Sequence, residues 1–147
     1  MSFWKWQPLS EYEEEHVTKS IAEAEKNTAG EIRVHIDRWC KTNPIYKAQN
    51  IFNHLKMYDT AQRNGVLIYV AKEEHKFAIV GDIGIHRLVG DQFWNSTKEK
   101  MLTHFQKEDL VNGLIAGIEE VGLQLKQHFP YQEDDENELP NTISYEE

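Results

Sequence analysis

Two uninterrupted apolar runs, Gly65–Ala71 (GVLIYVA) and Lys76–Gly81 (KFAIVG), flank the charged link Lys72–His75 in the middle of the chain. Runs of this length, rich in β-branched and aromatic residues, predict buried strands, and the four-residue link predicts an antiparallel hairpin. An earlier segment, Glu31–Asp37, alternates strictly: Ile32, Val34 and Ile36 face one way and Glu31, Arg33, His35 and Asp37 the other. That alternation predicts a strand with one wet face or a place at a sheet edge. Around these strands the apolar period changes to that of helices. Ser10 and Glu13 form the two halves of a capping box for a helix running to about Asn27, with Tyr12, Val17, Ile21, Ala22 and Ala24 on its apolar face. Trp4 and Trp6 are expected to pack over its first turn. Asn43-Pro44 starts a second helix, in which Ile45, Ala48, Ile51, Phe52 and Leu55 recur at helical spacing. After Gly84 a short turn near Ile85–Val89 leads to a helix holding Phe93, Trp94, Met101, Leu102 and Phe105, and then to one from about Glu108 to His128. Gly113, Gly117 and Gly122 lie in the last of these, and their spacing predicts close packing against the sheet.

Strand, helix and strand over residues 31–71 imply a right-handed crossover, so the first two strands run parallel while the hairpin returns the third antiparallel. The fold class is therefore α/β, a three-layer sandwich with a mixed central sheet flanked by helices, Rossmann-like in its layering. A single domain over residues 1–130 is expected, followed by a tail, 131–147. The tail changes the reading of the charge. The chain carries −9 in all, of which Glu133–Glu147 hold −7 and residues 1–132 only −2. The acidity thus belongs to an appendage, read as a solvated or partner-binding segment in which Leu139, Ile143 and Tyr145 can dock locally. No basic patch exists to displace counterions from phosphate, which argues against nucleic acid as a partner. One cysteine, Cys40, excludes an internal disulfide. With no apolar run of signal-peptide or membrane-spanning length, a cytoplasmic location is expected.

Strand directions also place the chemistry. Glu31, the entry to Gly65 and the exit at Gly81-Asp82 fall at one end of the sheet, and the crossover helix delivers Asp59 there. Glu31, Asp59 and Asp82 are expected to converge, with Asn64 nearby and Asp91 a fourth contributor. Oxygen donors without His or Cys suit a hard cation, Ca²⁺ or alternatively Mg²⁺. The same Asp residues are also good turn and cap formers, Asp82 among them. At the opposite end lie Asp37, Arg38, Trp39, Cys40, Glu73, Glu74 and His75, where Asp37 and His75 form an acid–base pair if their strands adjoin. Cys40, with Lys41 alone beside it in sequence, is weakly activated as a nucleophile.

The segments Ala22–Ile36, Asn64–Ala71 and Phe77–Gly84, continued weakly by Leu110–Leu114, together resemble the TPM-domain family, whose members include a thylakoid-lumen acid phosphatase of plants. The resemblance covers most of residues 10–128. It implies an α/β sandwich, divalent-metal binding (chiefly calcium) and, for some members, phosphatase activity. The family's Gly-Glu matches Gly30-Glu31, its Asn-Gly matches Asn64-Gly65, and its glycine after the third strand matches Gly81. Many members carry signal or membrane segments, which this chain does not show. Two functions follow as expectations. One is a metal-assisted acid phosphatase acting on a phosphomonoester, with Arg63 and Arg87 the nearest phosphate clamps. The other is a non-enzymatic calcium-dependent interaction or accessory module, docking through the acidic tail.

Overall fold

The computed structural model describes residues 6–90, 92–132 and 137–146. Its sheet has the strand order β3-β2-β1-β4, built from β1 (Glu31–Asp37), β2 (Gly65–Ala71), β3 (Lys76–Gly81) and β4 (Ser144–Tyr145). β1 and β2 run parallel from Glu31 opposite Gly65 to Asp37 opposite Ala71, and β3 returns antiparallel with Gly81 opposite Val66. Both directions agree with the sequence pattern. The fourth strand comes from the acidic tail, parallel to β1, with His35 opposite Ser144.

That strand corrects the expectation of a wet or edge position for β1. Every residue of β1 except Arg33 is buried, because β4 takes the edge and the polar face is covered as well. Nor is the described part of the tail a solvated appendage. Leu139 and Ile143 are buried, the Ala61 N–H donates to the Glu138 carboxylate, and the Arg38 N–H donates to that of Glu146. Two apolar side chains and an unpaired strand edge outweigh the charge around them, since an open edge leaves a row of N–H and C=O groups to be satisfied.

Helices cover both faces, α1 (Glu11–Glu25), α2 (Pro44–His54), α3 (Ile83–Val89), α4 (Asn95–Phe105) and α5 (Leu110–His128). On one face Ile32, Val34, Ile36, Ile68 and Ile79 pack with Val17 and Ile21 of α1 and with Leu114, Ile118 and Val121 of α5. On the other, Leu67, Tyr69 and Ala78 pack with Ala48 and Phe52 of α2, Met57 and the tail's Leu139. Local signals set the helix ends. Ser10 and Glu13 close the capping box, Asn43 accepts from the Ile45 N–H ahead of Pro44, and Asp82 accepts from the Ile83 N–H. Tyr12, expected on the apolar face of α1, is exposed. Trp6 packs against the core, with the Arg38 guanidinium 5.2 Å from its ring centre, while Trp4 lies outside the described residues.

The α5 glycines pack closely, but against helices rather than the sheet. A Cβ at Gly113 would meet the Phe105 ring, at Gly117 the Met101 side chain, and at Gly122 the Ala24 Cβ at 2.9 Å. A tighter constraint sits beside Asp82. A Cβ on Gly84 would lie 2.2 Å from the Gln62 carbonyl oxygen and 2.5 Å from that of Arg63, which itself accepts from the Gly84 N–H at 2.9 Å. Backbone cannot swing aside as a side chain can, so Gly84→Ala is expected to cost about 2–4 kcal/mol. Urea denaturation of the variant checks this value.

Candidate functional site

The ladder places the N-terminal ends of β1 and β2 side by side, and three loops meet there. Gly65 sits opposite Glu31, the Glu31 N–H donates to the Asn64 carbonyl at 3.3 Å, and the Asp82 N–H donates to the Gly65 carbonyl at 2.9 Å. Glu31 and Asp82 therefore share this end of the sheet, as the strand directions require. Their side chains do different work. Asp82 is buried and held by a bidentate pair, Arg63 Nε to Oδ2 at 2.8 Å and Nη2 to Oδ1 at 3.0 Å, while also capping α3. Its oxygens are thus committed to a structural role. Asp59 is exposed, and Asp91 lies outside the described residues. Among the described residues no group of three Asp, Glu, His or Cys side chains assembles into a metal cluster. The expected convergence of Glu31, Asp59 and Asp82 is therefore not found.

Glu31 instead has a partner that periodicity did not single out. Glu25, in the last turn of α1, accepts from the Ile32 N–H through Oε2 at 2.8 Å and interacts with the Glu31 carboxyl. Glu31 Oε1 accepts from the Glu138 N–H, so the tail reaches the same carboxylate. Burial pushes the Glu25 carboxyl up to about 9, against the pull of the Ile32 N–H and with a further push from Glu31. Burial raises Glu31 as well, while the Glu138 N–H and a hydrogen bond from Glu25 draw it back. Burial thus drives both carboxyls upward, and the hydrogen bond between them favours keeping a proton on Glu25. Glu31 Oε2 is buried with no hydrogen-bond partner among the described residues.

A second oxygen is in the same condition. Asn64 is fully buried, its Nδ2 donates to the Ala29 carbonyl at 3.2 Å, its N–H donates to the Thr60 hydroxyl, and its Oδ1 has no partner. Buried polar atoms are almost always paired, so unsatisfied oxygens on the first residue of β1 and on the residue before β2 are informative. A shallow cleft of about 240 Å³ opens beside the carboxyl pair, bordered by Glu25, Glu31, Thr28, Tyr131, Asn137 and Asn141. Carboxylate and amide oxygens are the donors that a hard cation takes, and they fit Ca²⁺ or Mg²⁺ in kind. The sequence signal for this pair was Glu25 ending its helix six residues before Glu31 opens β1. Gly30, between them, lets α5 approach, since a Cβ there would strike the Leu125 side chain at 2.7 Å.

The far end of the sheet carries a different network. His35 Nε2 lies 2.5 Å from Asp37 Oδ1, and its Nδ1 lies 2.7 Å from Ser144 Oγ. Tyr69 donates to Asp37 Oδ2 at 2.8 Å and stacks on His35 with ring centres 5.9 Å apart. Burial alone would raise the Asp37 carboxyl, but His35, Tyr69 and Lys47 at 4.0 Å hold it below the ordinary carboxylate range. The partner of Asp37 is thus His35, two residues away on the same strand face, and not His75, which is exposed in the hairpin turn. Burial and Asp37 push the Tyr69 hydroxyl far upward, keeping it a donor.

Comparison with known proteins agrees with this architecture. A family model described as the TPM domain matches residues 7–124. The NMR structure of the BA42 protein from the psychrophilic bacterium Bizionia argentinensis is similar with a TM-score of 0.90 and 43% identity, covering 95% of this chain and 97% of that one. The N-terminal domain of the cg2496 protein from Corynebacterium glutamicum, solved by solution NMR, shares the fold with a TM-score of 0.64 at 16% identity, over 80% of this chain and 74% of that one. No curated protein matches the chain. Among the described residues no helix is long and apolar enough to cross a membrane.

Proposed function

This chain belongs to the TPM-domain family, and from that premise we propose that it is a divalent-cation-binding module, with Ca²⁺ the preferred ion, whose site is the Glu25–Glu31 carboxyl pair together with Asn64 Oδ1. The observation that carries the reading is Glu31 Oε2, buried with no hydrogen-bond partner beside the Glu25 carboxyl, which burial pushes towards holding a proton. A cation supplies the missing positive charge in place of that proton. When bound, the ion would neutralise two adjacent carboxylates and satisfy the amide oxygen. The chain's own residues hold the donors in place. The Ile32 N–H fixes Glu25, the Glu138 N–H fixes Glu31, and the Ala29 carbonyl fixes the Asn64 amide.

Phosphatase activity is the family-derived extension, and the site supports it less well. Arg63, the nearer phosphate clamp in sequence, is bound bidentately by Asp82, and Arg87 is exposed on α3. Backbone NMR during a Ca²⁺ titration tests the binding reading. Saturable shifts are expected at Glu25, at residues 29–32, at Asn64 and around Glu138, with a loss of at least about tenfold in affinity in Glu31→Gln. Shifts confined to residues 35–40 and 73–76 would refute it. Phosphomonoester hydrolysis at acid pH that requires Ca²⁺ and vanishes in Glu31→Gln would establish the enzyme instead of the module.

A further inference from the structure

We propose a second ligand site, for a small zwitterion with an apolar body such as a hydrophobic amino acid or dipeptide, in the cleft outside the carboxyl end of β2. The cleft lies at the opposite end of the sheet from Glu31 and does not depend on the cation reading. Its volume is about 520 Å³, within the range of small-molecule sites and at the position where open α/β sheets receive ligands, beyond the carboxyl ends of parallel strands. The walls come from the β2–β3 hairpin on one side and from the α4–α5 connection on the other.

Its floor is apolar and fixed in shape. Phe77 and Phe105 meet edge to face at 5.1 Å and 79°, and Leu102 and Leu110 extend the surface, with Leu102 42% exposed. Gly113 makes room for the Phe105 ring, since a Cβ there would lie 2.2 Å from its Cε1. An aromatic or branched body stacks on such a floor at little cost in protein order.

The rim names the headgroup. Lys76 is spent, its Nζ 3.1 Å from Glu74 and 3.0 Å from the Cys40 carbonyl. Lys72 lines the cleft and, among the described residues, its ammonium has no partner, and the same holds for the carboxylates of Glu73 and Glu108. One free cation and two free anions above an apolar floor complement a carboxylate and an ammonium on one small molecule. They disfavour phosphorylated ligands and nucleotides, whose multiple negative charges would face both carboxylates.

The test is a ¹⁵N-resolved NMR titration of the full chain with L-phenylalanine, 3-phenylpropanoate and 2-phenylethylamine. Phenylalanine is expected to give saturable shifts at residues 72–77 and 102–110, with millimolar or tighter affinity. Lys72→Met is expected to weaken it about fivefold while leaving 2-phenylethylamine unchanged, and Leu102→Glu, a surface substitution that leaves the fold intact, to abolish all three. Saturation by 3-phenylpropanoate at equal affinity would overturn the zwitterion assignment. The absence of saturable shifts with phenylalanine, or an affinity indifferent to Lys72→Met, would overturn the site.

Discussion

Glu25→Gln is expected to make the cation-free protein more stable at pH 8 and, in the same molecule, to remove its response to calcium. The sign comes from the direction of the shift. The Glu25 carboxyl rises from an ordinary 4.5 to about 9 on folding, so between these values the folded chain holds a proton that the unfolded chain releases. Stability is therefore fully present below about pH 4.5 and falls as pH rises towards 9. A glutamine keeps the Ile32 N–H bond through its oxygen and offers Glu31 a permanent donor through its amide, with no proton to retain. The gain is expected to be on the order of 1–2 kcal/mol at pH 8, a few degrees in Tm, and near zero at pH 5. Thermal melts at both pH values, with and without Ca²⁺, check it. In the parent chain Ca²⁺ at about a hundred times its Kd should add about 2.7 kcal/mol, and in Glu25→Gln almost nothing. A variant that is less stable at pH 8 and still gains from Ca²⁺ would contradict the assignment.

Asp37→Ala is expected to be the most damaging single substitution outside the glycines, at about 3–5 kcal/mol. Asp37 is 3% exposed and accepts from both His35 and Tyr69. Without it two buried donors lose their acceptor, and His35 loses the group that orients it towards Ser144. Because folding lowers the Asp37 carboxyl below its usual 3.8, its contribution is present above that value and disappears as pH falls through the folded value. Urea denaturation at pH 7 measures the loss. Hydrogen exchange at the Glu146 amide, which donates to the Ile36 carbonyl at 3.2 Å, should accelerate more than exchange in β2. A cost under about 1 kcal/mol would mean that the network is slack.

Strand identity and direction were legible because the evidence is local and periodic. The alternation of Glu31–Asp37, the two apolar runs and the caps at Ser10, Asn43 and Asp82 each rest on neighbouring residues. What strand direction could not supply was which carboxylate Glu31 meets. Asp82 was placed at the correct end, but its charge is consumed by Arg63, while Glu25 reaches the start of β1 from the end of α1 through the Ile32 N–H. The tail misled for a related reason. Leu139, Ile143 and Tyr145 were read as able to dock, but the strand that Ser144-Tyr145 adds to the edge of β1, more than a hundred residues away, leaves no local signal. His35 and Asp37 were visible as same-face neighbours, yet only the arrival of Tyr69 and Ser144 makes them a closed network.

Whether a cation takes the place of the Glu25 proton is read most directly by calorimetric titration of Ca²⁺ at pH 6, 7 and 8 in buffers of different ionisation enthalpy. Proton displacement predicts an affinity that rises about five- to tenfold per pH unit, with about one proton released per ion bound. An affinity independent of pH, with no proton released, would contradict it.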